Sequence, residues 1–466
     1  MRKVFIALLL ATLCVAGVWA YLRSPLPGRP EPAEESEEST ASEEKTPAAR
    51  LAVPLGSWPR FRGPDGLGIS TDTEVPLEWN EKKNLRWKTA LPGPGSSSPV
   101  VWGDRIFVTC YTGYGDGSEG KPNDLRRHLL AIRRDDGKVL WSREVAPDAP
   151  EDAYRGYLTQ HGYASSTPAV DAEHVYVFFG KTGVLAFDHE GNSKWKTSVG
   201  TRSANRRWGS AASLLLYRDL VIVNASEESR AIKALDCKTG KQVWEAEGRK
   251  LELCYGTPIL VETEGGRQEL VVALPGEVWG LHPDSGKLRW YARTDLEGNV
   301  SPSVVAHNGI IFATGGYPGT YTVAIRAGGR GDVTASHLLW SVNDASYVPS
   351  PVAHGEHLYL FNDQGVAICL EATTGKQVHR VRMPGVAEGR TARPVYASPL
   401  RIHDRLIAVT RTAGTFVVTA TPKLERLGIN RLAGDDSDFN GSPAVSRGQL
   451  FLRSNRYLYC VGADAR

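Results

Sequence analysis

The run Asp436-Ser437-Asp438-Phe439-Asn440-Gly441 offers oxygen ligands at alternate places followed by glycine, the opening pattern of a calcium loop. Such a loop needs a bidentate Glu at its twelfth place, which Arg447 occupies here, so the run reads as a solvated acidic loop. His354 and His357 lie three apart in a turn between short strands, where His174, His307 and His403 also fall; they read as exposed turn residues rather than metal ligands. Lys181-Thr182-Gly183 lacks the following helix that a phosphate cradle requires. Ser210 and His161 have no spacing that marks an activated nucleophile, and a site assembled in space stays open. Besides Cys14, the cysteines are Cys110, Cys237, Cys254, Cys369 and Cys460, none adjacent and none at zinc or haem spacing. They read as single buried thiols, with one bridged pair left open. No catalytic residue and no metal site is assigned.

A more consistent series precedes a repeated step in the chain: Tyr163, Trp208, Tyr255, Asn299, Tyr347, Tyr396 and Asn440. Aromatic and amide groups around a funnel mouth would suit a ligand ring or a peptide, or would plug a central channel. Either role requires that the repeats stand around an axis.

The repeat opens on Ser/Thr-Pro at Ser98-Pro99, Thr167-Pro168, Thr257-Pro258, Ser301-Pro302, Ser350-Pro351, Ser398-Pro399 and Ser442-Pro443, with a worn copy at Ser213-Leu214. Successive reference positions lie 69, 46, 44, 44, 49, 48 and 44 residues apart. Each unit holds a short apolar stretch, two runs of period two such as RIFVT from Arg105 and LLAI from Leu129, a glycine turn, and a last run ending in Trp. Period two buries one face of a strand, and glycine supplies the positive φ of a tight hairpin. The tryptophans are Trp141, Trp195, Trp244, Trp290 and Trp340; His379 takes the place in the sixth unit, and the seventh has no clear equivalent. Four strands cannot bury both faces alone, so the sheets must stack radially, and the spacing predicts an eight-bladed all-β propeller. The last unit runs out after Tyr457-Leu458-Tyr459-Cys460, while Asn84-Leu85-Arg86-Trp87-Lys88 reads as a fourth strand without the preceding three. Closure of the ring by this N-terminal strand is expected. Loops before each Ser/Thr-Pro and between second and third strands share one end of the axis, where the insertions 111–127, 152–165 and 315–320 also fall.

The pattern Asp-x-x-Thr-Gly-Lys-x-x-Trp, best copied at Asp236 to Trp244, resembles the repeat of quinoprotein-like eight-bladed propellers, and WPRFRGPDGLG (Trp58 to Gly68) looks like the opening of their bacterial extracytoplasmic members. The resemblance implies that each Trp docks on the next blade. It implies two functions: a non-catalytic scaffold similar to the propeller subunit of the outer-membrane β-barrel assembly machinery, or a dehydrogenase holding pyrroloquinoline quinone (PQQ) beside calcium. The alcohol dehydrogenase branch clamps the quinone with adjacent cysteines, which this chain lacks, as it lacks a Cys-x-x-Cys-His haem segment. The scaffold, with no cofactor and with envelope proteins or peptides as partners, is the expectation; PQQ and calcium belong to the alternative.

Met1-Arg2-Lys3 and the apolar Val4 to Ala20 make residues 1–22 a secretory signal or a membrane anchor, placing the protein outside the cytoplasm, periplasmic or secreted. Residues 23–54 hold seven Glu and no aromatic residue, a composition that cannot offset its ordering entropy, so a disordered acidic tether is expected before a propeller over 55–466. Formal charge is +2, −3 and +4 over the three parts, which leaves no nucleic-acid footprint on the propeller.

Overall fold

The computed structural model describes residues 53–386 and 393–463. The leader read at 1–22 and the tether read at 23–54, except its last two residues, lie outside them. Eight sheets are formed, each with four antiparallel strands, and two carry an extra short parallel strand. In blade 3, Leu215–Tyr217, Leu220–Ala225, Ala231–Asp236 and Gln242–Glu247 follow one another outward. Middle strands are buried on both faces because they lie between neighbouring sheets, as in Leu358 to Phe361 of blade 6. Outermost strands alternate toward solvent, as in Val139–Val145 of blade 1. Blade 8 joins Ala444–Ser446, Gln449–Arg453 and Tyr457–Val461 to Leu85–Ala90, with Trp87 opposite Cys460 and Ala90 opposite Tyr457. No helix among the described residues is long and apolar enough to cross a membrane.

The tryptophans and turn glycines are two halves of one contact. Trp87, Trp141, Trp195, Trp244 and Trp340 donate their indole N–H at 2.8–3.0 Å to carbonyls of the next blade, those of Arg134, His189, Cys237, Pro283 and Ala372. Beside those carbonyls, the glycines Gly137, Gly191, Gly240, Gly286 and Gly375 have φ between +68° and +84°, and a Cβ there would lie 2.4–2.8 Å from the ring. Glycine is needed twice over, for the turn and for the ring laid upon it. Trp290 departs from this. Its partner across the strands is Gly280, where a Cβ would meet the indole at 2.1 Å, so the ring folds onto its own sheet and donates to Glu269 Oε2 at 2.7 Å. In the seventh blade Gly428 takes the tryptophan's register, opposite Val417, which is why no equivalent shows in the sequence.

The fifth repeat is read two residues early. The hydroxyl that matches Ser98 and Thr167 belongs to Ser303, not Ser301, and Val304 stands where the other blades, except the third with Leu214, have proline, just before the strand Val305–His307. Two Ser-containing steps overlap there, and only the hydrogen bonds to neighbouring blades separate them.

Trp58 to Gly68 forms the floor of the ring. Trp58 bridges to Val101 of blade 1, Pro59 O accepts from Val170 N–H of blade 2, and Gly68 O accepts from Arg401 N–H of blade 7. Arg62, 2% exposed, donates to Ser350 O and Pro351 O of blade 6 and to Gly66 O and Leu67 O of its own turn. The segment therefore crosses the axis.

Candidate functional site

At the axis the segments that lead into the innermost strands bring two rings of side chains together, at positions two residues apart in each repeat. The deeper ring is the Ser/Thr of each step. Ser98 N–H donates to Thr167 Oγ1, Thr167 N–H to Ser213 Oγ, and so on through Thr257, Ser303, Ser350, Ser398 and Ser442, seven links of 2.9–3.0 Å. The Ser/Thr preference is thus a blade-to-blade bond: each hydroxyl receives an N–H that no strand partner takes. Ser98 Oγ, the eighth, is buried without a partner. The ring two residues earlier is Ser96, Ser165, Ala211, Tyr255, Ser301, Val348, Tyr396 and Asn440.

These rings enclose a cavity of about 150 Å³. Phe61 of the crossing segment lines it, and Tyr157 roofs it from the insertion between blades 1 and 2. The Tyr157 ring lies 4.5 Å from Trp208 and 6.2 Å from Tyr347, and the Arg393 guanidinium stands 4.1 Å from the Tyr347 centroid. The insertion is tied across the mouth: Gln160 Oε1 accepts from Arg411 at 3.0 Å and Gln160 O from Asn440 Nδ2 at 3.1 Å.

Of the residues singled out in the sequence, Trp208, Tyr255, Tyr347, Tyr396 and Asn440 line this cavity. Tyr163 and Asn299 do not. Both are held off the axis by partners of their own. Tyr163 packs with Tyr111, Tyr114 and Tyr154 at 5.5–5.9 Å and donates to Asp152 O, while Asn299 is buried behind Tyr347, whose hydroxyl donates to its Oδ1 at 3.1 Å. Tyr157, Phe61 and Arg393 were missed because they belong to segments that do not repeat.

The remaining candidates separate. The carboxylates of the acidic run diverge, with Asp436 on Arg456 at 2.6 Å and Asp438 on Arg411. His354 and His357 face each other across a hairpin, and no group of three or more His, Cys, Asp or Glu able to hold a metal occurs among the described residues. Cys110, Cys237, Cys254, Cys369 and Cys460 are buried free thiols. Ser210 and His161 are not partners. His161 Nε2 faces Trp208 O at 2.9 Å and so carries the hydrogen, leaving Nδ1 to accept from Ser165 Oγ at 2.5 Å. Burial holds this imidazole down to about 4, a poor base at neutral pH.

Ser210 instead meets Glu228, in a buried charged cluster that sequence reading missed. Glu227 and Glu228 lie on the short helix Ser226–Ser229; Glu227 accepts the Tyr255 hydroxyl at 2.6 Å, linking the cluster to the cavity wall. Nearby, Glu151 pairs with Arg127 at 2.7 Å and Asp152 with Lys181 at 3.1 Å. Burial pushes the Glu228 carboxyl up to about 8, and its Oε2 has no partner. A raised carboxyl pKa stabilises the fold fully below the unfolded value and loses that contribution as pH rises to about 8. His161 works oppositely, its contribution being lost as pH falls from about 6.5 toward 4. Between pH 6.5 and 8 only the Glu228 slope of the two remains. Glu228→Gln, which keeps a hydrogen-bonding group without the charge, is expected to flatten the fall in urea midpoint over that window and to raise stability at pH 8; an unchanged slope would refute the assignment.

Two matches to one family model, over 67–209 and 126–381, run together across more than half of the 466 residues; the model is described as outer membrane protein assembly factor BamB. The chain belongs to that family. Among solved structures, BamB of Moraxella catarrhalis is similar at 12% identity and a TM-score of 0.57, over 82% of this chain and 98% of that one. The computationally designed protein Ika8 is similar at 12% identity and a TM-score of 0.54, over 80% and 98%. At these identities the likeness is one of fold. Among curated proteins, a polyvinylalcohol dehydrogenase of a Pseudomonas species is 23% identical over 284 residues, 55% of this chain. The match spans 42% of that relative's length. This member of the BamB family is thus a propeller of the PQQ-like repeat type, with its axial cavity floored by Trp58 to Gly68 and partly covered by the Tyr157 insertion.

Proposed function

We propose that this protein is a non-catalytic, extracytoplasmic scaffold that binds an envelope protein or peptide through its insertion-rich face. The observation that carries this is the make-up of the axial cavity, which is rimmed by aromatic rings and hydroxyls and lined by no Asp or Glu. A quinone-dependent dehydrogenase needs carboxylate oxygens for calcium and an acid-base group at the reacting carbon. The acids nearest the mouth are engaged: Asp363 with Arg393 at 3.3 Å and Asp438 with Arg411. A cavity of about 150 Å³ is also small beside the ~300–1,000 Å³ of sites that enclose ligands of that size. The residues present do not fit the quinone with its calcium. Tyr317, 52% exposed, and the half-buried Tyr157, Trp208 and Arg393 at the rim fit a protein partner, since aromatic and arginine side chains anchor interfaces.

A photo-crosslinking residue placed at Tyr317, which is 52% exposed in the fifth-blade insertion, tests this in a native envelope fraction. One recurrent protein adduct is expected, weakened by Trp208→Ala. The absence of any recurrent adduct would count against the scaffold, as would saturable binding of PQQ with calcium accompanied by turnover of alcohols or sugars.

A further inference from the structure

We propose that the axial cavity is a binding site for a small oxyanion of phosphate or sulfate size, held by the ring of Ser/Thr hydroxyls. This goes beyond the docking of a protein on the rim and does not depend on it. Each hydroxyl from Thr167 to Ser442 accepts one backbone N–H, which uses a lone pair and leaves its own hydrogen to be placed. Among the described residues no protein acceptor takes any of those seven hydrogens, and Ser98 Oγ has no partner of either kind. All eight residues are between 1% and 6% exposed, and all line the cavity. Buried donors without acceptors are rare because each forfeits its bond to water.

The donors converge on one volume from every side. The lining supplies no carboxylate to receive them. Positive charge without a carboxylate partner stands in the floor, at Arg62, which meets only carbonyls; at the mouth Arg393 and Arg411, over the rings of Tyr347 and Tyr396, are paired with Asp363 and Asp438. Hydroxyl donors in a lining without acids, above a buried arginine that has no carboxylate partner, favour an anion over a cation. The cavity of about 150 Å³ exceeds several-fold the ~30 Å³ share of one water, so an oxyanion fits with waters bridging to the hydroxyls it does not touch.

Crystals of the full-length protein grown with sodium selenate give a direct answer. An anomalous selenium peak is expected on the axis between Phe61 and Tyr157, within hydrogen-bond reach of at least two ring hydroxyls. Titration with inorganic phosphate followed by calorimetry is expected to saturate at one site. Ser213→Ala should weaken it about tenfold, the order of one hydrogen bond to a charged group, while Ser213→Thr, which keeps the hydroxyl, should bind as the parent does. Water alone on the axis in the selenate crystals overturns the proposal, as does phosphate binding unchanged in a folded Ser213→Ala protein. Should that variant not fold, the selenate map of the parent decides.

Discussion

Trp87→Ala is expected to lower the unfolding free energy by about 3–5 kcal/mol, the usual cost of truncating a buried tryptophan, and to do more damage than Trp195→Ala. Trp87 is 9% exposed, lies 6.0 Å from Phe451 of its own sheet, covers Gly137 of blade 1, and donates to Arg134 O at 2.8 Å. The same contact made by Trp195 joins blades 2 and 3, which follow each other in the chain. Trp87 joins blade 1 to a sheet whose other strands come from residues 444–461, so its loss leaves the two ends of a long chain segment less firmly held together. Urea unfolding of the two variants side by side measures the difference. Trp87→Phe, which retains most of the buried area, should recover all but about 1 kcal/mol, the share of the lost hydrogen bond. A Trp87→Ala protein as stable as Trp195→Ala would show that blade 8 does not depend on this seam.

Arg62→Ala should cost roughly 3 kcal/mol or more, since each buried carbonyl left without a donor costs about 1–3 kcal/mol and partial relaxation offsets part of the sum. Its guanidinium serves four carbonyls on two chain segments at 2.5–3.3 Å, an arrangement that suits the fixed fork of arginine and not the single ammonium of lysine. Burial brings Arg62 down to about 9, so it stays charged at neutral pH. Arg62→Lys should therefore recover only a minor part of the loss, and Arg62→Met, which fills the volume without donors, should resemble the alanine variant more than the parent. The readouts are the urea midpoint and the rate of proteolysis within 58–70, which should rise as the floor detaches. Equal stability of Arg62→Met and the parent would mean that packing, not hydrogen bonding, holds the segment.

Much of the cavity wall was legible because it repeats. Trp208, Tyr255, Tyr347, Tyr396 and Asn440 stand ahead of recognisable steps; Tyr255, Tyr396 and Asn440 lie two residues before the ring hydroxyl and face inward with it, while Trp208 and Tyr347 reach the cavity from the approach loops. Tyr163 and Asn299 stand in the same approach segments but are drawn off the axis by partners that no spacing reveals, Tyr163 into the cluster of Tyr111, Tyr114 and Tyr154 and Asn299 behind Tyr347. The fifth step failed because Ser301-Pro302 imitates the pattern while Ser303 makes the bond.

The amino-acid sequence by itself determined the blades: Ser/Thr, turn glycine and tryptophan recur at fixed local offsets, and with exceptions such as Trp290 they meet the neighbouring repeat, so a one-dimensional pattern suffices. Only the tertiary structure decided what closes the axis and what shares a buried pocket. Phe61 beneath and Tyr157 above come from segments that occur once, and Gln160 finds Arg411 at a separation of 251 residues. Likewise Ser210 meets Glu228, and His161 meets the carbonyl of Trp208, through loops whose path is set by the sheets they leave. Periodicity specifies neighbours along a strand and between adjacent blades; contacts across the ring depend on where the ring places its loops, and no local spacing encodes that.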